Sequence, residues 1–341
     1  MKQFLITHKR RLLLLLTAFC IVLLNLSLIF NDSVWYDEAY TMNLIRGNWN
    51  DILYGASIDV HPPLYYFIVK FFTIILGYSV PAAKIASITP VILTMLLIIF
   101  ILDKQLDQKH FTGTFFCLLL LGTAPCSISM NIELRMYTWA MFFVIFAFKF
   151  FKEGTHFSSL ILLTAFAVCA AYTHYFALIA VAIIYVLLLF AIIMTHQKNL
   201  KYFFISCIVC FVSYLPWIPV LFRQIAFVRD GFWIPELTLD KLIEYLNWLF
   251  SGDYLSFWWI VIIFCILLCI CQLIYKKSNN PQYNMLFFFS CFLTFAGLIF
   301  TGAVLSKLIR PVFVERYMFV AIGLLYIFIS YTFAYCIESR T

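Results

Sequence analysis

Residues 31–63, NDSVWYDEAYTMNLIRGNWNDILYGASIDVHPP, interrupt a chain that is otherwise apolar almost from end to end. They follow directly on the run LLLLLTAFCIVLLNLSLIF at 12–30, which is long enough to span a bilayer core as a helix. The interruption gathers Asp32, Asp37, Glu38, Asp51 and Asp59, then His61 ahead of a proline pair. An acidic, aromatic-rich segment immediately after a hydrophobic span points to chemistry at a membrane face rather than to a simple connector.

The rest of the composition fixes the class. Of 341 residues, 65% are hydrophobic and 11% charged, with a mean hydropathy of +0.99. A soluble domain carries about a quarter charged residues, and none of this length would hide so much apolar surface. The expected fold is an all-α polytopic membrane protein, because backbone in hydrocarbon must satisfy its own hydrogen bonds. The 39 Phe, 20 Tyr and 8 Trp suit lipid-facing surfaces and interfacial belts. The net charge of +7 is what positive-inside loops produce and implies no nucleic-acid partner. Of the 11 cysteines, Cys265, Cys269 and Cys271 are close enough to suggest a metal cluster, but they lie in an apolar run without a nearby His or acid. They read as small hydrophobes, and no disulfide framework is implied.

Lys2, Lys9, Arg10 and Arg11 precede the first apolar run, and no small-x-small cleavage site follows it. The segment is therefore expected to be an uncleaved first helix with its basic flank cytoplasmic and the acidic segment outside. The apolar run 64–76 is short, contains Lys70 and begins at the proline pair. If it lies at the outer interface without crossing, the basic stretches Lys104, Lys109 and His110; Lys149, Lys152 and His156; His196, Lys198 and Lys201; Lys276 and Lys277; and Arg340 all fall inside. Further spans are expected at 82–102, 111–130 with a kink at Pro125, 137–151, 158–173, 175–194, 202–221, 257–275, 283–305 and 313–336. With the first helix this makes roughly ten crossings in one integral domain over 1–341, with both termini cytoplasmic. The outer face then collects the segment 31–81, the turn 131–137, the junction 173–176, the loop 222–256 and the connector 306–317.

These outer segments supply the candidate chemistry. Asp37 and Glu38 lie between Trp35, Tyr36 and Tyr40; a carboxylate at a low-dielectric boundary needs a partner and suits general-base work. Adjacent side chains point apart, so Asp37 is assigned as the base and Glu38 as an orienting or structural partner. His61 can bond a phosphate or a sugar hydroxyl, or be an ordinary interfacial histidine. Glu133 and Arg135 sit in a tight turn that either pairs with the first segment or is merely hydrated. His174 and Tyr175 end a helix at the same level and line a cavity or pack in a core. Arg316, beside Glu315 and Tyr317 and after Lys307 and Arg310, is the strongest cation candidate, since an arginine fork matches phosphate oxygens; a rim anchor is its alternative. No G-x-G-x-x-G or Walker pattern occurs, so an activated donor would be carried by lipid rather than by a soluble nucleotide.

Several motifs, in this order and on this side, resemble the membrane glycosyltransferases of the GT-C superfamily that use polyprenyl-phosphate sugars. The bacterial relatives of glycosyltransferase family 39, the protein O-mannosyltransferases and the lipid A aminoarabinose transferase are the branch in question. The motifs are Trp35-x-Asp37-Glu38-Ala39, His61–Tyr66 as H-P-P-L-Y-Y, Glu133, Arg135 and Tyr137 in the second outer turn, Thr173–Tyr175 as T-H-Y, Pro216–Pro219 as P-W-x-P, and Arg316–Tyr317. They span residues 31 to 317. The resemblance implies a GT-C-like helical fold with an outer-face juxtamembrane helix. It also implies inverting transfer to an acceptor hydroxyl on the outer side of a bacterial cytoplasmic membrane. Asp37 would activate the acceptor, and Arg316 with Tyr317, His61 and Arg135 would hold the leaving phosphate. Glu133, Tyr137, His174 and Tyr175 would line the cavity or its acceptor side.

Two departures narrow it. The aminoarabinose enzyme has lysine where this chain has His61, and the additional lumenal regions of the mannosyltransferases are missing, so the acceptor hydroxyl can belong to a glycan, a lipid or a protein. Some relatives use a divalent metal, but the acids here form no pattern that assigns one. The loop 222–256, with Trp233, Pro235, Trp248, Asp253 and Tyr254, is the candidate for acceptor contact. The rival reading is a transporter or lipid-linked-sugar flippase, against which stand the lack of an inverted repeat and the clustering of ionisable residues on one side.

Overall fold

The computed structural model describes residues 2–30, 33–102, 111–151, 157–194, 200–231, 233–250, 262–263, 265–266 and 281–338. Among these residues there is helix but no strand. The expected span 257–275 lies almost wholly outside them. So do Asp32, Asp253, Tyr254, Cys269, Cys271 and most of the basic loop residues, namely Lys104, Lys109, His110, Lys152, His156, His196, Lys198, Lys276, Lys277 and Arg340.

The helices are α1 (Lys2–Ile29), α2 (Tyr36–Leu44), α3 (Trp49–Ile58), α4 (Leu64–Leu76), α5 (Val80–Leu97), α6 (Phe111–Thr123), α7 (Pro125–Ile132) and α8 (Tyr137–Lys149). There follow α9 (Phe157–Thr173), α10 (Tyr175–Met194), α11 (Leu200–Tyr214), α12 (Ile218–Asp230), α13 (Leu239–Trp248), α14 (Pro281–Leu308) and α15 (Phe319–Glu338). Six described helices are long and apolar enough to cross a membrane, and the bent pair α6–α7 makes a seventh. The expected count of about ten also drew on α8 and α9, which are 13 and 17 residues long. At 1.5 Å per residue, α8 covers about 20 Å of a hydrocarbon core of about 30 Å.

The core shows where the short helix α8 sits. From Phe319 to Ala334, every residue of α15 except Phe333 is buried, and the helix packs against α6, α8 and α14. Enclosure on nearly every side makes it a central helix of the bundle rather than one that faces lipid. In α8 only Phe146 and Lys149 escape full burial, so this helix too is enclosed by protein. Pro125 breaks the sixth helix as its ring demands, and α6 and α7 diverge by 59°. The bend turns the chain into Glu133–Met136, the turn that carries two of the candidate residues.

The acidic segment is not an open loop. Asn48 caps α3, its Oδ1 accepting from the N–H groups of Asn50 (2.9 Å) and Asp51 (3.0 Å), while Asp51 Oδ2 accepts from Asn48 N–H at 2.8 Å. Two lysines staple the segment to the bundle: Lys70 Nζ donates to the Ile45 carbonyl at 2.8 Å and Lys84 Nζ to that of Ser33 at 3.1 Å. Tyr78 adds a bond to the Met42 carbonyl at 2.7 Å. Helix α4 buries Tyr65, Tyr66, Val69 and Thr73 on one side and exposes Phe71, Ile74, Ile75 and Leu76 on the other. Its 13 residues and two-faced surface suit the interfacial position expected of it.

The described part of 222–256, residues 222–231 and 233–250, also differs from the expected loop. Helix α12 runs on to Asp230, after a 3-10 turn at Leu215–Trp217 where Pro216 interrupts the preceding helix. Residues 239–248 then form α13, begun by the Thr238 hydroxyl accepting from Lys241 N–H.

Candidate active site

Asp37 occupies the first turn of α2, and its neighbour Glu38 points elsewhere. Glu38 is buried and spends both carboxylate oxygens on backbone: Oε1 accepts from Leu134 N–H at 2.7 Å and Oε2 from Trp35 N–H at 3.2 Å. It begins α2 and clasps it to the turn after α7. Asp37 faces two arginines. Its Oδ2 lies 3.4 Å from Arg316 Nη1 and 3.6 Å from Arg135 Nη2, and Arg135 Nη1 also donates to the Asp37 carbonyl at 3.4 Å. Among the described residues nothing bonds Oδ1. The three side chains come from positions 37, 135 and 316, and Asp37 keeps 29% of its side-chain exposure against 5% for Arg135. Two guanidinium groups face one carboxylate oxygen, and forked N–H donors in a partly dehydrated centre suit an oxyanion.

His61 and His174 stack beside this centre, their rings 5.4 Å apart. Arg135 Nη2 is 2.9 Å from His61 Nε2, and since a guanidinium only donates, Nε2 accepts and the ring proton sits on Nδ1. His174 Nδ1 accepts from Phe176 N–H at 3.1 Å, which puts its proton on Nε2. Both outward N–H groups are buried without a partner among the described residues. Burial, with Arg135 nearby, drives His61 well below the usual histidine range and His174 down to about 3, so both are neutral donors near pH 7. Tyr317 closes the cluster, its ring 4.9 Å from His174 and 6.3 Å from Tyr137.

Glu133 follows α7, with Oε2 buried and unpartnered among the described residues. Burial raises its carboxyl to about 7, against the opposing pull of Arg316 and Arg135. Tyr175 is held from two sides, by the indole N–H of Trp217 at 3.1 Å and by its own bond to Gln224 Oε1. Gln224 Nε2 in turn donates to the Ala56 carbonyl at 2.9 Å, tying α12 to α3.

Two cavities of opposite character adjoin these residues. An apolar one of about 250 Å³ is lined by His61, His174, Tyr175, Phe176, Gln224, Leu305 and Tyr317, among others. A polar one of about 430 Å³ is lined by Ser33, Trp35, Glu38, Lys84, Ser129 and Glu133, with Met130 and Ile132.

All ten sequence-predicted residues thus fall in one neighbourhood. Sequence reasoning had no signal for Gln224, nor for the burial of Asp59. That carboxylate accepts from the Tyr66 hydroxyl at 3.2 Å, and burial raises its pKa. A divalent cation does not suit the donor set. Asp37 Oδ2 already faces two cations, both Glu38 oxygens are bound to backbone, and no three metal-ligating side chains group together among the described residues.

No protein-family model matches the chain, and no curated protein matches it in sequence. A solved structure, that of ArnT from Cupriavidus metallidurans in the apo state, superposes with a TM-score of 0.51. The superposition covers 96% of this chain and 77% of that one, at 12% sequence identity. The chain shares the helical membrane fold of that structure. At so low an identity the likeness extends to fold and no further; the expected fold class is borne out, and the roles of the site residues are a separate question.

Proposed function

We propose that the protein is an inverting glycosyltransferase that moves a sugar from a polyprenyl-phosphate donor to an acceptor hydroxyl at the outer face of a bacterial cytoplasmic membrane. The observation that carries this reading is Asp37 with one oxygen between Arg135 and Arg316 and the other unengaged. The donor phosphate is held by the N–H groups of the arginine pair, helped by the neutral N–H of His61 and by Tyr317. The isoprenoid chain leaves through the apolar cavity, and the acceptor approaches from the polar one. The acceptor oxygen attacks the anomeric carbon as the bond from that carbon to the phosphate oxygen breaks; the bonding pair leaves with the phosphate and the hydroxyl proton passes to Asp37 Oδ1. Configuration inverts because attack and departure occupy opposite faces. Stabilising the leaving oxyanion with preplaced donors is where most of the acceleration arises. Glu38 serves catalysis indirectly, by fixing α2 against the Glu133–Arg135 turn.

Binding of the product tests the phosphate site. Polyprenyl phosphate titrated into the protein in lipid nanodiscs is expected to bind, and Arg316→Gln or Arg135→Gln to weaken it by about tenfold or more, the worth of one charge-assisted bond. Equal affinity in the wild type and both variants would remove the arginines from the phosphate site.

A further inference from the structure

Arg316 carries more packing than its pair with Asp37 requires. Its guanidinium carbon lies 4.9 Å from the ring centroid of Trp35 and 5.8 Å from that of Trp233. The two indoles come from different parts of the chain. Trp35 immediately precedes α2 and shares its placement with Asp37. Trp233 stands 64% exposed on the connector between α12 and α13. That connector follows a helix moored independently of Arg316: Gln224 donates to the Ala56 carbonyl, Arg223 Nη2 to that of Ser57 at 2.9 Å, and Arg310 Nη1 to that of Arg229 at 2.9 Å.

An indole face attracts a cation and leaves the in-plane N–H groups of a guanidinium available to oxygen acceptors. We propose that Trp233 is a positioning residue for Arg316: it holds the guanidinium over the indole faces, aims its N–H edge at Asp37 and the donor phosphate, and screens it from water. The purpose rests on the transferase reading; the placement does not. It also reassigns Trp233 from acceptor contact to the phosphate side. Its exposure makes it the outer wall of the arginine, so its loss opens Arg316 to reagents while the mooring of α12 stays intact.

The test compares the full chain in nanodiscs with Trp233→Ala and Trp233→Phe. Modification of Arg316 by phenylglyoxal, read by peptide mass spectrometry, needs no catalytic activity. Trp233→Ala is expected to speed it about two- to fivefold, in line with a partly exposed cation–π contact, and Trp233→Phe to restore most of the protection. In transfer assays Trp233→Ala is expected to lower kcat/KM for the polyprenyl-phosphate sugar by a similar factor, and Trp233→Phe to restore most of it. An unaltered modification rate in Trp233→Ala, or a Phe variant as impaired as the Ala variant, overturns the proposal. Faster modification without transfer from any donor supports the placement of Trp233 and overturns the transferase reading instead.

Discussion

Replacing Glu38 separates the two adjacent acids by experiment. Its carboxylate accepts one short bond from Leu134 N–H (2.7 Å) and one longer bond from Trp35 N–H (3.2 Å), both in a buried setting. Hydrogen bonds to a charged group contribute about 1.5–3 kcal/mol each, and removing the acceptor leaves Leu134 N–H buried and unpaired. Glu38→Ala is therefore expected to cost about 3–5 kcal/mol of folding stability. Glu38→Gln keeps one acceptor oxygen for Leu134 but turns an amide donor towards Trp35 N–H, and is expected to cost about 1–2 kcal/mol. Equilibrium unfolding by SDS in mixed micelles gives both numbers. Activity should follow the folded fraction, because Glu38 reaches the reaction only through the position of α2 and the Arg135 turn. A Glu38→Ala protein within about 0.5 kcal/mol of the wild type would refute the clasp. If that protein were also inactive, Glu38 would belong to the chemistry.

Other consequences are as specific. With its carboxyl raised to about 7, Glu133 holds a proton in the native state that the unfolded chain releases near 4.5. The stability it contributes therefore falls as pH rises from about 4.5 to about 7, and Glu133→Gln should flatten that part of the pH–stability profile. His174 has the opposite sign: lowered to about 3, it takes up a proton in the unfolded chain first, so stability falls as pH drops from about 6.5 towards 3, and His174→Gln should reduce that slope, to which His61 also contributes. A methyl group built on Gly122 would come within 1.9 Å of Ile21 Cγ2, where α1 and α6 touch and Asn25 Nδ2 bonds the Gly122 carbonyl at 3.1 Å. Gly122→Ala should cost about 1–3 kcal/mol, measured in the same micelles.

The fold was legible because hydrophobic length and charge placement act locally, and the short, two-faced helix α4 could be read as a separate element from its proline start and its lysine. The course of α12 was not, since the 3-10 turn at Leu215–Trp217 lets the helical chain continue to Asp230. In the site, Asp37, Arg135 and Arg316 stood out as charges that an apolar chain keeps only at a cost. Their meeting across 279 residues of sequence could be argued only from sidedness. That Asp37 and Glu38 face different partners followed from adjacent side chains diverging. The stacking of His61 on His174 and the indoles beside Arg316 depend on tertiary approach and left no local trace.

The most direct measurement of the central claim is transfer of label from a panel of radiolabelled polyprenyl-phosphate sugars in native membranes, with the intact protein and with Asp37→Asn. The account predicts that label moves from lipid to a new product with one donor class, with inversion at the anomeric carbon, and that Asp37→Asn abolishes the transfer while the protein stays folded. Undiminished transfer by Asp37→Asn would contradict the role of that carboxylate. Exchange of labelled donor between leaflets without any new covalent product would contradict the transferase itself and identify a flippase.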